Sequence, residues 1–493
     1  MSNSKIFLHK RQALSSLSQN ALPVRPYFDC FIFLLLPTIV NLSSVSQLNL
    51  SRITVSFIFA LLLLKNVFVY SAISASWQAR VNDAFRATFH RTNTTLFLLF
   101  LLIAFLLVSE LRGFFTGTTP FTASVGFFLW AVSLLGYLLS VATLNSNDES
   151  RRMLFVALIL GLGIFVLTNV IGYYAGIRGF NTLDTVGQNK MLSLVGLNVS
   201  RVALPFSTGV NNFGAMAGLG MVSGFFLLLR GRGLALKSAG FITFLLGALG
   251  MVLVDSRASL GISIFTCMVV LVATKSKQVA WSIRALPYAV LIAPFAILAL
   301  AGAIADTEFA QLIVRDGAFA KRLGVLTARD VVWTSAFDIL STPSLIHLVG
   351  YGAIGQFTSG ATLEYSWVFG QIAGLTATSL HNANLQIIFD IGYTGFVVWL
   401  LFWLSLMSVI SVGLIRKGDS LESSVMAGIA VFVSLIGIFE VGGTLYFPDM
   451  FAIVLFLVVW TLPQKVDPGI SQKRKLVASA SIPKSLSIAS RRM

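Results

Sequence analysis

Charge is what this chain has least of. Asp, Glu, Lys and Arg make up 11% of its 493 residues, against about 25% in soluble globular domains. So few ionic side chains cannot coat a water-soluble body of this length. Cysteine is nearly absent too. Cys30 and Cys267 both sit in apolar runs, which excludes a disulfide scaffold and a thiolate metal framework. The four histidines, His9, His90, His347 and His381, are too scattered for a zinc site. No soluble basic domain exists to hold a duplex, so the net charge of +16 does not mark a nucleic-acid binder.

What the chain has is apolar sequence, 56% of all residues. A helix needs about 20 apolar residues to cross the bilayer. Twelve such runs lie near 28–45, 52–73, 94–110, 121–144, 153–176, 208–229, 234–254, 259–274, 285–305, 384–414, 424–442 and 446–463. The expected fold is an all-α polytopic membrane protein of about 12 transmembrane helices. A tail at 1–27 precedes spans 1–9 (28–305). A large ordered loop with short helices (306–382) separates these from spans 10–12 (383–463), and a flexible basic tail (464–493) follows. The first segment lacks a small-residue cleavage pattern, so the first span is expected to be retained.

Twelve spans put both termini on one side. The short loops on that side carry most of the 35 Lys and Arg, among them Arg151, Arg152, Arg230, Lys275, Arg284, Arg416 and Lys417. The positive-inside rule then places both tails in the cytoplasm and the 306–382 loop outside. The excess positive charge fits that bias and an attraction to anionic lipid headgroups.

Few cations remain for the outer side. Arg201 precedes Leu204-Pro205-Phe206 and an Asn211-Asn212 lead-in to a span. Arg257 lies in the short Asp255-Ser256-Arg257 turn, where Asp255 is a potential partner. Arg329 follows Thr327-Ala328, a pattern that predicts a capping box and a helix reaching about Leu340, ahead of Pro343. A lone arginine at a span end commonly anchors to headgroups. Three on the side where positive charge is disfavoured point instead to a bound anion, and the planar guanidinium suits a diphosphate. One such contact at 4 Å contributes about 4 kcal/mol at an effective dielectric of 20. His381 sits where the loop enters the tenth span, within reach of water and of a lipid-linked substrate. An imidazole there can accept a proton from a sugar hydroxyl. It can equally be a structural histidine held by Asn382.

These residues resemble a known pattern. His381-Asn382, nine residues, then Gly392-Tyr393-Thr394-Gly395 is similar to the His-Asn-x9-Gly-x-x-Gly signature of the O-antigen ligase and Wzy-type polymerase family. Leu385-Gln386 and Asp390 continue it. Upstream, Arg329-x3-Trp333, Pro343 and Gly350-Tyr351-Gly352 resemble that family's large-loop pattern, as do the Ser256-Arg257 turn and the Arg201-to-Asn212 stretch. The matches come in family order over about 200–400.

The resemblance implies a GT-C-like glycosyltransferase of the bacterial inner membrane, working at the periplasmic face. Its donor would be a glycan on undecaprenyl diphosphate. Its acceptor would be lipid A–core in a ligase, or a second lipid-linked glycan in a polymerase. It would need no nucleotide sugar, no metal and no other cofactor. His381 is then the expected general base, with Arg257, Arg329 and Arg201 on the leaving diphosphate. Asn382 would orient the histidine or touch substrate. One direct displacement inverts the anomeric carbon. A carrier of lipid-linked glycans is the reading from another class, although no internal repeat favours it. Glu364 and Glu440 read as solvated charges with an acid/base role as the alternative, Lys65 as a snorkelling cation, and His347 as a loop histidine.

Overall fold

The computed structural model describes residues 27–42, 94–117, 148–177, 188–305 without 208, 328–367 without 353, 379–444 without 419, and 448–461, plus isolated positions between them. The expected spans at 52–73 and 121–144, both tails, and Arg315, Lys321 and Arg322 of the loop lie outside the described residues or almost wholly so. Helices stand at the other ten expected spans. They are α1 (Tyr27–Leu42), α2 (Thr94–Phe115), α3 (Asp148–Tyr174), α4 (Val210–Arg230), α5 (Leu234–Leu253), α6 (Arg257–Lys275), α7 (Leu286–Ile304), α9 (Ala383–Lys417), α10 (Leu421–Ile436) and α11 (Pro448–Thr461). Between α7 and α9 lie α8 (Arg329–Ser341) and single turns at Ile346–Val349, Gly355–Thr358 and Ala361–Glu364. Seven of the helices are long and apolar enough to cross a membrane. No strand forms among the described residues beyond one isolated bridge.

Small residues set the packing. Gly224 and Gly240 let α4 and α5 touch backbone to backbone. Phe432 covers Gly218, while Val222 and Phe226 cover Gly428, so α10 runs antiparallel to α4. Ser256, just before α6, sits over Gly214 in the first turns of α4. The starts of α4 and α6 and the end of α10 therefore share one end of the bundle. The start of α9 joins them, because the Ala383 N–H donates to the Gly437 carbonyl (2.8 Å). At the opposite end Arg230 Nη2 donates to Thr274 Oγ1 (3.0 Å) and Arg284 Nε donates to Ser411 Oγ (3.2 Å). Lys275, Arg416 and Lys417 close helices there. Arg230, Lys275, Arg284, Arg416 and Lys417 thus occupy the end opposite the candidate site residues.

Helix α9 has 35 residues, about 52 Å at 1.5 Å per residue, well beyond a hydrocarbon core of about 30 Å. A break at Gly392 (φ 73°, ψ 179°) divides it. The break releases carbonyls at 389 and 390 that a continuous helix would satisfy. The 350–352 turn takes them up: Tyr351 N–H donates to Phe389 O (2.7 Å) and Gly352 N–H to Asp390 O (3.1 Å). Ser109 of α2 donates to the same Asp390 carbonyl (2.7 Å). A side chain at Gly392 would stand 2.4 Å from the Leu348 backbone, and one at Gly350 would stand 2.5 Å from Asp390 O. The two glycine motifs meet each other at this crossing.

Candidate active site

The site is assembled at the end of α10. Past Ile436 the chain makes one more turn, with the Glu440 N–H donating to Ile436 O (2.9 Å). Three successive carbonyls there need donors. Ala383 N–H reaches Gly437 O, Asn382 Nδ2 reaches Ile438 O (3.0 Å), and Arg329 Nε reaches Phe439 O (3.0 Å). Asn382 is used twice, since its Oδ1 caps α9 by accepting from Leu385 N–H (3.0 Å). It is fully buried. Both ends of its amide are spent on the scaffold, so its contribution is to fix the chain at 381–383.

Glu440 lies between the two candidate cations. Its Oε1 accepts from Arg329 Nη2 (2.5 Å), and its Oε2 is 3.1 Å from His381 Nδ1. Its side chain is only 12% exposed, with Arg329 at 15% and His381 at 19%. A solvated charge at 440 was the expectation, and the geometry corrects it. Burial pushes the Glu440 carboxyl up, but the opposing charges of His381 and Arg329, with their hydrogen bonds, hold it below the usual carboxylate range. Glu364 is exposed, as a solvated charge should be.

Two hydrogen bonds at Leu380 fix the His381 turn. Trp333 Nε1 donates to Leu380 O (3.0 Å), and the Leu380 N–H donates to Gln386 Oε1 (3.3 Å). Gln386 Nε2 in turn donates to Gln356 Oε1 (2.7 Å) and Asp390 Oδ1 (2.9 Å), and Gly355 N–H donates to the same Asp390 oxygen. Arg329 and Trp333 are one turn apart on α8, so the Arg-x3-Trp spacing serves to grip both 439–440 and 380. Ala328, in a left-handed conformation, is the cap of α8 and contributes no side-chain hydrogen bond, while Thr327 of the expected capping box lies outside the described residues. The helix nevertheless starts and stops where expected.

Arg201 and Arg257 form a second group. Arg201 Nε donates to Val254 O (3.0 Å), and Arg257 Nε is 3.8 Å from Asp255 Oδ1, a loose pair that leaves Arg257 30% exposed. Asp255 also accepts from Met191 N–H (3.3 Å), and Asn189 Nδ2 bonds the carbonyls of Val252 and Leu253. The two groups emerge at the same end of the bundle, where Gly214 under Ser256 and Phe432 over Gly218 place them. Backbone strain is concentrated beside them. Four non-glycine residues among those described have positive φ, and three are Asp255, Ala328 and His381. Such conformations cost about 1–3 kcal/mol each and persist where the surroundings impose them. Next to the His381 turn, a narrow crevice lined by Pro287, Val290, Asn384, Trp399, Trp403 and Gly437 runs between α7, α9 and α10.

Glu440 is the residue that sequence reasoning undervalued. Its only signal is an acidic side chain at the end of an apolar run, beside Gly442-Gly443.

No protein-family model matches this chain, and no curated protein is similar to it in sequence.

Proposed function

We propose that the chain is an inner-membrane glycosyltransferase that moves a glycan from undecaprenyl diphosphate to an acceptor hydroxyl at the periplasmic face, with lipid A–core as acceptor. The observation that carries this reading is the His381–Glu440–Arg329 cluster, strained and shielded, at the end of an apolar bundle opposite its basic end. A carboxylate on Nδ1 keeps the proton there and leaves Nε2 as the base. The acceptor O–H gives its proton to Nε2 while the oxygen forms a bond to the anomeric carbon. The bond from that carbon to the phosphate oxygen breaks, and the lipid diphosphate leaves with the electron pair. One displacement inverts the carbon.

Arg257, half-buried and 3.8 Å from Asp255, is the first choice for the diphosphate, with Arg201 beside it. Arg329 uses three of its five N–H groups on Glu440 and on the carbonyls of Phe439 and Leu326. The remaining two can meet a phosphate oxygen. The crevice beside Asn384 suits a lipid chain, being lined by apolar and aromatic side chains.

The test is purified full-length protein with a lipid-linked glycan. Release of undecaprenyl diphosphate with product on added lipid A–core supports the proposal. A ladder of repeats formed without that acceptor means a polymerase, and translocation with no release means a carrier.

A further inference from the structure

A second polar cluster lies across α9 from the crevice. Ser109 and Gly352 share the Asp390 carbonyl, which seats the last turns of α2 against the 350–352 turn. Arg112 is one turn beyond Ser109 on the same face of α2. Its Nε is buried and has no hydrogen-bond partner among the described residues. Next to Gly352 in the turn is Tyr351, whose phenol oxygen is 2.9 Å from His347 Nε2. His347 itself is buried, with the Tyr393 ring edge-on at 6.5 Å. Burial pushes the Tyr351 phenol up and the nearby Arg112 charge opposes that, in keeping with their proximity.

A buried guanidinium nitrogen without an acceptor costs about 1–3 kcal/mol, so the site is incomplete as it stands. The missing partner is an acceptor, and the cation calls for an anion. The rim identifies what carries it. Phe114 and Phe115 from α2, and Leu345, Leu348 and Val349 from the adjoining turn, are all exposed. A water-soluble anion gains nothing from such a rim, whereas a phosphate with an acyl or prenyl tail covers it.

The site is separate from the crevice. Thr95 of α2 bonds Ser405 of α9 (2.6 Å), while Trp403 faces the crevice. Two residues along a helix rotate the direction by about 200°, so α2 and the crevice occupy opposite faces of α9. We infer that Arg112, with Tyr351 and His347 behind it, holds the phosphate of a second membrane lipid on the α2 face of α9. A lipid-borne acceptor and an ordinary phospholipid share this chemistry. The inference uses the membrane placement of the proposed function but not the transfer reaction.

The test is native mass spectrometry of full-length protein in detergent, titrated with farnesyl phosphate and separately with dioctanoyl phosphatidylglycerol. In an Arg257→Gln background, which disables the proposed diphosphate site, one farnesyl phosphate should still bind, and Arg112→Gln should weaken it at least tenfold and Tyr351→Phe severalfold. Equal loss of phosphatidylglycerol binding in Arg112→Gln assigns the site to headgroups in general. Loss confined to farnesyl phosphate assigns it to a prenyl-linked substrate. Either result supports the site. Unaltered binding of both lipids to Arg112→Gln overturns it. Should that variant not be recovered as monodisperse protein, Arg112→Lys decides: a loss of at least threefold supports a guanidinium site, and wild-type binding refutes it. Because no turnover is read, an absence of glycan transfer would leave this result standing, and the reverse is also true.

Discussion

His381 Nδ1 and Glu440 Oε2 are 3.1 Å apart although 59 positions separate them in sequence. Arg329 holds the other oxygen of the same carboxylate, so Glu440 cannot turn away from the ring. An amide at 440 would offer N–H as readily as oxygen and would loosen control of the tautomer. In the proposed reaction Glu440→Gln should lower kcat by about 10²–10⁴-fold, the range associated with a general base or its orientation, with the donor KM within about twofold of wild type. An unchanged kcat would show that the pairing serves structure alone.

The same carboxylate should be visible in stability against pH. Its folded pKa lies below the ordinary value because His381 and Arg329 outweigh burial. A depressed folded pKa means that the unfolded chain takes up the proton first on acidification. The stabilisation is therefore complete above the ordinary carboxylate value, about 4.3, and is lost as pH falls through the lower folded value. Melting temperatures of wild type and Glu440→Gln should differ at pH 5. Below that the gap should narrow. A gap independent of pH down to 3 would mean the carboxylate does not titrate in this way.

Arg257 offers a test of the diphosphate assignment that barely touches the fold. Its pair with Asp255 is 3.8 Å long, with the arginine 30% exposed and the aspartate buried, and a lysine keeps a positive charge opposite that carboxylate. Arg257→Lys should leave the melting temperature nearly unchanged. It keeps the charge but loses the planar fork, and transfer should fall by at least about 10²-fold, as when one donor to a developing anion is removed. Wild-type transfer by this variant would remove Arg257 from the site.

Much of this was legible in sequence because apolar length is a local property. Ten of the twelve expected runs carry helices, and α8 begins at Arg329 as its Trp333 and Phe337 spacing suggests. The motif residues were legible as a set but not in their separate duties. Gly350 and Gly392 look like turn glycines, yet their purpose is to let two backbones touch. Trp333 looks like one side of an apolar face, yet its indole N–H holds the carbonyl before His381. Glu440 was the hardest to place. Its partners are Arg329 and His381, brought in by α8 and by the chain reversal at 379–383, and no spacing in one sequence encodes that meeting.

Two glycines of α9 should respond to the same change with opposite sign. Gly413 has nothing among the described residues within 4 Å of where a Cβ would stand, so Gly413→Ala should be neutral or stabilise by about 0.5–1 kcal/mol, the ordinary helix preference. Gly392 combines φ +73° with a Cβ position 2.4 Å from the Leu348 carbonyl. Gly392→Ala therefore meets both a left-handed strain and a backbone clash, each costing about 1–3 kcal/mol. The 346–352 turn must shift, releasing the Phe389 and Asp390 carbonyls, and Asp390 is tied through Gln386 to Leu380. Thermal melts should show a clear loss for Gly392→Ala beside a flat or raised value for Gly413→Ala. Transfer by surviving Gly392→Ala protein should fall with kcat, because the His381 turn moves with its support. Equal melting temperatures for the two variants would mean that the helix break at 392 does not underpin the site.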